Sequence, residues 1–319
     1  MRARSPRRDC RTMVVPPSDT PPDSATRRNG LRPVRAVAVV GFGDMGEQMV
    51  PHLLAAGYRV SVYDIDVSRL DAARTTGAAI AASAAEACRG ADVVLGLVMS
   101  EDIPGAYLGD DGILAGAGAG TTVLICSTTT RAYVELLQAA VPRGVSMLDA
   151  PIVGGVKYAR EQAITFLVGG PASGLAQVQP VLDVLGRTRH VGEFGAGVDY
   201  KLITNVAIMA AEAGLREALD LADILGRDYA TALELMSAGP MRAVVERALD
   251  ESNPRPLRRS AEDDDTLLTA VNDPAKLLPI SHAGRVRLWE AVDADPDFEP
   301  DFVDLTRKTT ARPGYRDRR

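Results

Sequence analysis

Val34-Arg35-Ala36-Val37-Ala38-Val39-Val40-Gly41-Phe42-Gly43-Asp44-Met45-Gly46 decides the fold. The first seven residues are a near-continuous apolar run rich in valine, as expected of a strand buried on both faces. Glycines follow at once, and residues 44–56 then read as a helix. A G-x-G-x-x-G in that setting has a mechanical reason for each glycine. Gly41 permits the tight turn, Gly43 lets the backbone approach a pyrophosphate, and Gly46 lets the helix pack close to the strand. The helix N-terminus offers N–H groups and a partial positive charge to phosphates. Gly41, Phe42, Gly43, Asp44, Met45 and Gly46 are the candidate dinucleotide contacts.

Downstream, Gly57 closes the helix and residues 59–64 read as a second strand ending in Asp64, 23 residues after Gly41. A carboxylate there accepts hydrogen bonds from an adenosine ribose and repels a 2′-phosphate. Ile65 and Asp66 follow it rather than an arginine, so NAD is favoured over NADP. Further buried strands are predicted at 91–99, 121–127, 146–152 and 164–168. Strands alternating with helices imply a parallel, doubly wound sheet, a Rossmann domain over 34–195.

After Gly195 the pattern switches to helix. Residues 198–225 contain no proline and only Gly214, and read as one long helix. Shorter helices are predicted at 231–237, 241–249, 266–271 and 285–292. The expected fold is therefore α/β: a doubly wound Rossmann domain followed by an all-helical domain over 196–306, joined by a long interdomain helix. Residues 1–33, with eight Arg against three Asp, and residues 307–319 read as disordered basic segments. Met13 is another candidate start.

The net charge is −6, and residues beyond 33 carry −11, so phosphate backbones are repelled and nucleic acid is a poor partner. No uncharged apolar run reaches the roughly 18 residues of a membrane span. The three cysteines, Cys10, Cys88 and Cys126, suggest neither a disulfide framework nor a metal site, and a reducing cytoplasm is expected. His52, His190 and His282 are scattered without metal-ligand spacing, and no metal is expected.

The long helix opens Gly195-Ala196-Gly197-Val198-Asp199-Tyr200-Lys201-Leu202-Ile203-Thr204-Asn205. Lys201 and Asn205, four apart, share one face. A lysine at a domain junction is partly desolvated, which lowers its pKa toward the range of general acid–base work. Together with the glycine fingerprint and Asp149-Ala150-Pro151-Ile152-Val153-Gly154-Gly155, this stretch resembles the β-hydroxyacid dehydrogenases over roughly residues 35–290. The resemblance implies hydride exchange between a nicotinamide and a carbon bearing a hydroxyl on a small 3-hydroxy acid or related compound. It assigns proton transfer to Lys201 and substrate orientation to Asn205. Val98 and Met99 correspond to the family's loop under the cofactor, Ser127 and Thr128 to a pair near the nicotinamide ribose, and a homodimer or homotetramer is implied.

The substrate side departs from the family. Val153, before the paired Gly154 and Gly155, replaces a serine that binds the substrate carboxylate. Tyr158 and Gln162 stand where glycines are usual, and Lys157 or Arg160 are offered as substitute anion contacts. Asp264-Asp265 replaces a Lys-Asp pair, leaving Asp265 as a substrate-side candidate. These departures keep two alternatives open: a C=N reductase of the same fold, against which Lys201 argues, and a dinucleotide-binding protein that has lost catalysis.

Overall fold

Valines on both faces of a strand need a covering layer above and below. In the computed structural model, which describes residues 33–311, β1 (Ala36–Val40) is buried in all but its first residue. The basic segment up to residue 32 and the tail from 312 onward lie outside the described residues. After β1 come α1 (Asp44–Ala55), β2 (Arg59–Tyr63), α2 (Val67–Thr75), the short β3 (Ala79–Ile80) and α3 (Ala84–Cys88). Next are β4 (Val93–Gly96), α4 (Ile103–Tyr107), α5 (Ile113–Gly116), β5 (Thr122–Ile125) and α6 (Arg131–Ala140). β4 and β5 are shorter than the apolar runs that predict them. The residues past each C-terminal end leave the ladder and form loops at the sheet edge.

The remainder of the sheet comprises β6 (Ser146–Asp149), β7 (Ile152–Val153), α7 (Val156–Arg160), β8 (Ile164–Gly169), α8 (Ala172–Leu185) and β9 (Gly186–Gly192). Strand order among the described residues is β3-β2-β1-β4-β5-β6-β8-β7, with β9 beside β8. Pairing is parallel from β3 through β6. The order reverses between β1 and β4, which puts the ligand crevice at the C-terminal ends of these strands. Two expectations need correction. The strand predicted over 146–152 is two strands, because Pro151 cannot donate to a ladder. β8 then runs antiparallel to both β6 and β7, so the parallel pattern stops there. β9, with the polar sequence GRTRHVG, has no apolar run to announce it.

One face of the sheet is covered by α1 and α8 through Met49, Leu53, Val178 and Leu182; the other carries Cys88, Ile103, Tyr107 and Leu137. A helical layer follows: α9 (Ala196–Ile224), α10 (Tyr229–Ser237), α11 (Arg242–Leu249), α12 (Leu257–Leu268), α13 (Pro274–Leu277) and α14 (Pro279–Val292). α12 lies well upstream of the predicted 266–271. Its apolar positions 257, 261, 267 and 268 are at helical spacing but are hidden in a charged run. α14 starts six residues before 285, with Pro279 in the first turn, where a missing N–H costs nothing. Val198 and Leu202 of α9 and Leu267 of α12 pack into the second sheet core, joining the helical layer to it. Residues 308–310, expected in a structureless tail, form a 3₁₀ turn. Arg216 and Arg287, both buried, donate to Arg307 O and Thr310 O respectively and hold that segment on the helices.

Candidate active site

At the end of β1, Gly41 has φ +99°, and a Cβ there would lie 2.6 Å from Leu97 O; a Cβ on Gly46 would lie 2.5 Å from Gly41 O. Both glycines are forced by close packing. A Cβ on Gly43 would meet only the Arg69 guanidinium, at 3.4 Å, so this backbone stays open to a phosphate. Asp64 at the end of β2 accepts from Phe42 N at 2.6 Å and from Asp66 N at 2.8 Å. The Phe42 amide is thus committed to Asp64 and its ring is buried, so Phe42 shapes the turn rather than donating to a ligand. Asp44 is exposed in the first turn of α1, while Met45 is half-buried. Arg69, which sequence reasoning missed, returns from α2 to donate to Phe42 O and stands 3.7 Å from Asp44. Its position in the first turn of a helix that follows Asp64 was the only available signal.

Further along the same edge, Ser127 donates to Val98 O at 2.5 Å, and the Ser100 and Thr129 hydroxyls are bonded at 3.0 Å. The loops carrying Val98, Met99, Ser127 and Thr128 are thereby brought together. At the end of β6 Asp149, fully buried, accepts from Gly195 N at 2.7 Å and from Val198 N at 2.8 Å. It caps α9. Burial raises its pKa, opposed by these backbone N–H groups. From β2 to β6 the edge spans four inter-strand spacings, about 19 Å. An edge that long, opening on the glycine turn and Asp64 and carrying the Ser127 hydroxyl, fits an extended dinucleotide.

Two turns into α9 stands Lys201, half-buried. Burial pulls its pKa below the usual lysine value; Arg255 adds to that, while Asp263 and Glu212 oppose it. Asn205, one turn on, is 1% exposed, and neither its Oδ1 nor its Nδ2 has a hydrogen-bond partner. Deeper along the helix, burial pushes Glu212 up to about 7, with Arg255, Ser260 and Arg247 opposing. On α12, Asp264 is pushed up to about 8 by burial and by Glu212, Asp263 and Asp265, with Arg285 opposing.

These two acids make stability pH-dependent. In the unfolded chain they return to carboxyl values of about 4. Between that pH and about 8 the folded protein holds protons that the unfolded chain has released, so stability falls as pH rises. Thermal unfolding at about pH 5.5 and about pH 8.5 checks the sign. The Tm is expected to be lower at the higher pH, and Asp264→Asn to shrink the difference.

The substrate-side candidates divide. Val153 and Gly154 are exposed before α7, and Gly155 packs on Asn253, which also accepts from Lys157 N. Lys157 forms an ion pair with Asp250 at 3.0 Å, and Arg160 donates to Gln48 on α1. Both candidate anion contacts are thus engaged with protein partners. Asp265, the substrate-side candidate, is bound to Arg285 and to Trp289 Nε1 on α14. The acid on the buried face of α12 is Asp264, because 257, 260, 261, 264, 267 and 268 share that face. Gln162 adopts φ +55°, a left-handed conformation that explains why a glycine suits this position.

The family model of the NAD binding domain of 6-phosphogluconate dehydrogenase matches residues 36–195. The chain belongs to the β-hydroxyacid dehydrogenase family. Within it, the chain is 39% identical over 206 residues to the 3-hydroxyisobutyrate dehydrogenase of Pseudomonas aeruginosa, covering 63% of this chain and 68% of that one. It is 38% identical over 206 residues to the NAD-dependent L-serine dehydrogenase of the same organism, covering 64% and 69%. In fold it is similar to the Mycobacterium tuberculosis 3-hydroxyisobutyrate dehydrogenase solved with L-serine, at TM-score 0.71 and 24% identity, covering 86% of this chain and 98% of that one.

Proposed function

We propose that the chain is an NAD-dependent dehydrogenase or reductase of a small hydroxyl-bearing substrate, with Lys201 as its general acid–base group. The observation that carries this is a half-buried lysine with a lowered pKa, set two turns into a helix whose first turn is tied to the sheet by Asp149. Gly43 gives a phosphate access to the backbone, and Gly41 and Gly46 hold the turn in shape. Asp64 accepts from the adenosine ribose and disfavours a 2′-phosphate, which supports NAD over NADP. Val98, Met99, Ser127 and Thr128 line the path toward Lys201.

When bound, the nicotinamide accepts or returns a hydride, two electrons and one proton. In oxidation the neutral Lys201 amine takes the substrate hydroxyl proton as the C–H hydride leaves and the C=O bond forms. In reduction Lys201 as ammonium gives that proton back to the carbonyl oxygen. Asn205 orients the substrate beside it. The loop from Val153 to Gly155 closes the pocket without a hydroxyl donor. Incubation with NAD⁺ and a panel of short alcohols and hydroxy acids, followed through NADH absorbance, tests this reading. Binding of NADH with no oxidation or reduction of any member would replace it with dinucleotide binding alone.

The same reading includes assembly as a homodimer or homotetramer. α9 exposes Tyr200 and Leu221 with the small Ala207 and Gly214 between them at a spacing of seven, flanked by Ile203 and Leu225. Such a stripe suits a helix–helix interface. Introducing Ile203→Glu and Leu221→Glu together is expected to give a monomer by light scattering, with the far-ultraviolet spectrum unchanged. Among the described residues no helix is long and apolar enough to cross a membrane. The buried free thiols of Cys88 and Cys126, both raised in pKa, suit a reducing cytoplasm, where we place the protein.

A further inference from the structure

Three carboxylates crowd the end of the sheet where the glycine turn lies. Asp44 is exposed in the first turn of α1, Asp64 follows β2, and Asp66 caps α2 by accepting from Ser68 N at 2.8 Å. A diphosphate is itself anionic, and like charges this close repel. The α1 N-terminus offers only partial charge against them. A full cation at this edge would change the balance, and the structure sets one there.

Arg69 reaches the turn because of where its helix starts. β1 and β2 pair in parallel, with Val40 beside Tyr63, so the glycine turn and the start of α2 emerge side by side. Helical side chains lean toward the N-terminus of their helix, and Arg69 is the third residue of α2. It is therefore carried back over the sheet edge. Its Nη1 donates to Phe42 O at 3.3 Å and lies 3.4 Å from where a Cβ on Gly43 would stand. The acids are farther off. Asp44 is at 3.7 Å and Asp66 at 3.9 Å, both beyond hydrogen-bond length. Arg74, further along the same helix, is by contrast bound directly to Asp71. Among the described residues, the bond to Phe42 O is the one hydrogen bond of a guanidinium that carries five N–H donors.

We infer that Arg69 binds the diphosphate of the dinucleotide. Its planar fork matches phosphate oxygens, and it stands over the glycine whose backbone is open to them. It also offsets the charge of Asp44, which the phosphates would otherwise face alone. Position favours the diphosphate over a ribose 2′-phosphate. The contacts of Arg69 are to Phe42 and Gly43 on the turn, while Asp64 occupies the ribose side. This inference rests on the reading of the turn as a dinucleotide site and adds a side chain to what had been a backbone cradle.

The full-length protein is titrated with NADH and NADPH by nucleotide fluorescence, and with ADP by displacement of NADH. Arg69→Met is expected to weaken NADH and ADP alike, by about tenfold or more, equivalent to about 1.4 kcal/mol. Arg69→Lys, which keeps the charge and loses the fork, should weaken them less. Salt separates a charge contact from a prop of the turn, because it screens exposed charges. Wild-type affinity for NADH should fall as KCl is raised. In Arg69→Met, where acids are left facing the phosphates, it should not. Unchanged NADH affinity in Arg69→Met, a loss confined to NADPH, or a loss that keeps the wild-type salt response would each overturn the inference and leave NAD binding intact. A wild-type chain that bound neither NADH nor ADP would bring down the dinucleotide reading itself, and this inference with it.

Discussion

Lys201→Met is expected to lower kcat by about 100- to 10,000-fold while the affinity for NADH stays unchanged. Methionine keeps the length and apolar stem of lysine and removes the group that carries the proton, so packing against the helical layer is preserved. The wild-type pH profile should show the same group. Oxidation needs the neutral amine, and burial lowers the lysine pKa, so kcat/KM for oxidation rises with pH through that lowered value and then levels. Reduction needs the ammonium and falls across the same interval. In Lys201→Met both limbs should vanish, and added methylamine should restore part of the rate. Steady-state NADH absorbance and fluorescence titration of NADH together check this. A variant with undiminished kcat would remove Lys201 from the chemistry.

Asp149→Asn has the second largest expected effect, because both carboxylate oxygens are used. One accepts from Gly195 N and the other from Val198 N. An amide can serve only one of these; its NH₂ end faces the second donor and leaves a buried N–H unpaired, at about 1–3 kcal/mol. Glycines make room for the carboxylate: a Cβ on Gly169 would lie 2.3 Å from one oxygen and a Cβ on Gly197 2.8 Å from the other. The loss should appear as a lower urea midpoint. Because Lys201 hangs from the helix capped here, kcat should also drop, with the basic limb of the pH profile displaced. A variant that lost stability alone, with kcat and that limb unmoved, would make Asp149 a purely structural cap.

The strands β1, β2, β4 and β5 were legible because the signals are local, whereas the two-residue β3 was not. A valine run, the glycine turn and a terminal acid lie within one βαβ unit, and each residue's role depends on near neighbours. Lys201 and Asn205 could be paired from sequence for the same reason, since one helical turn relates them. α12 escaped because its apolar positions are interrupted by Arg and Asp, and β9 because an edge strand needs no apolar run.

By its own order of residues the chain determines that a nucleotide turn follows the first strand, and that a lysine and an amide share the face of a long helix. Only the tertiary structure decides which groups meet across distance. Asp149 reaches the α9 terminus 46 residues away, Lys157 is neutralised by Asp250 93 residues on, and Asp264 rather than Asp265 turns inward. A helix presents every residue to some direction, and the sequence specifies the angle between neighbours but not which angle faces another helix. That choice belongs to the packing of α9, α12 and α14, where burying one face commits all its polar atoms at once.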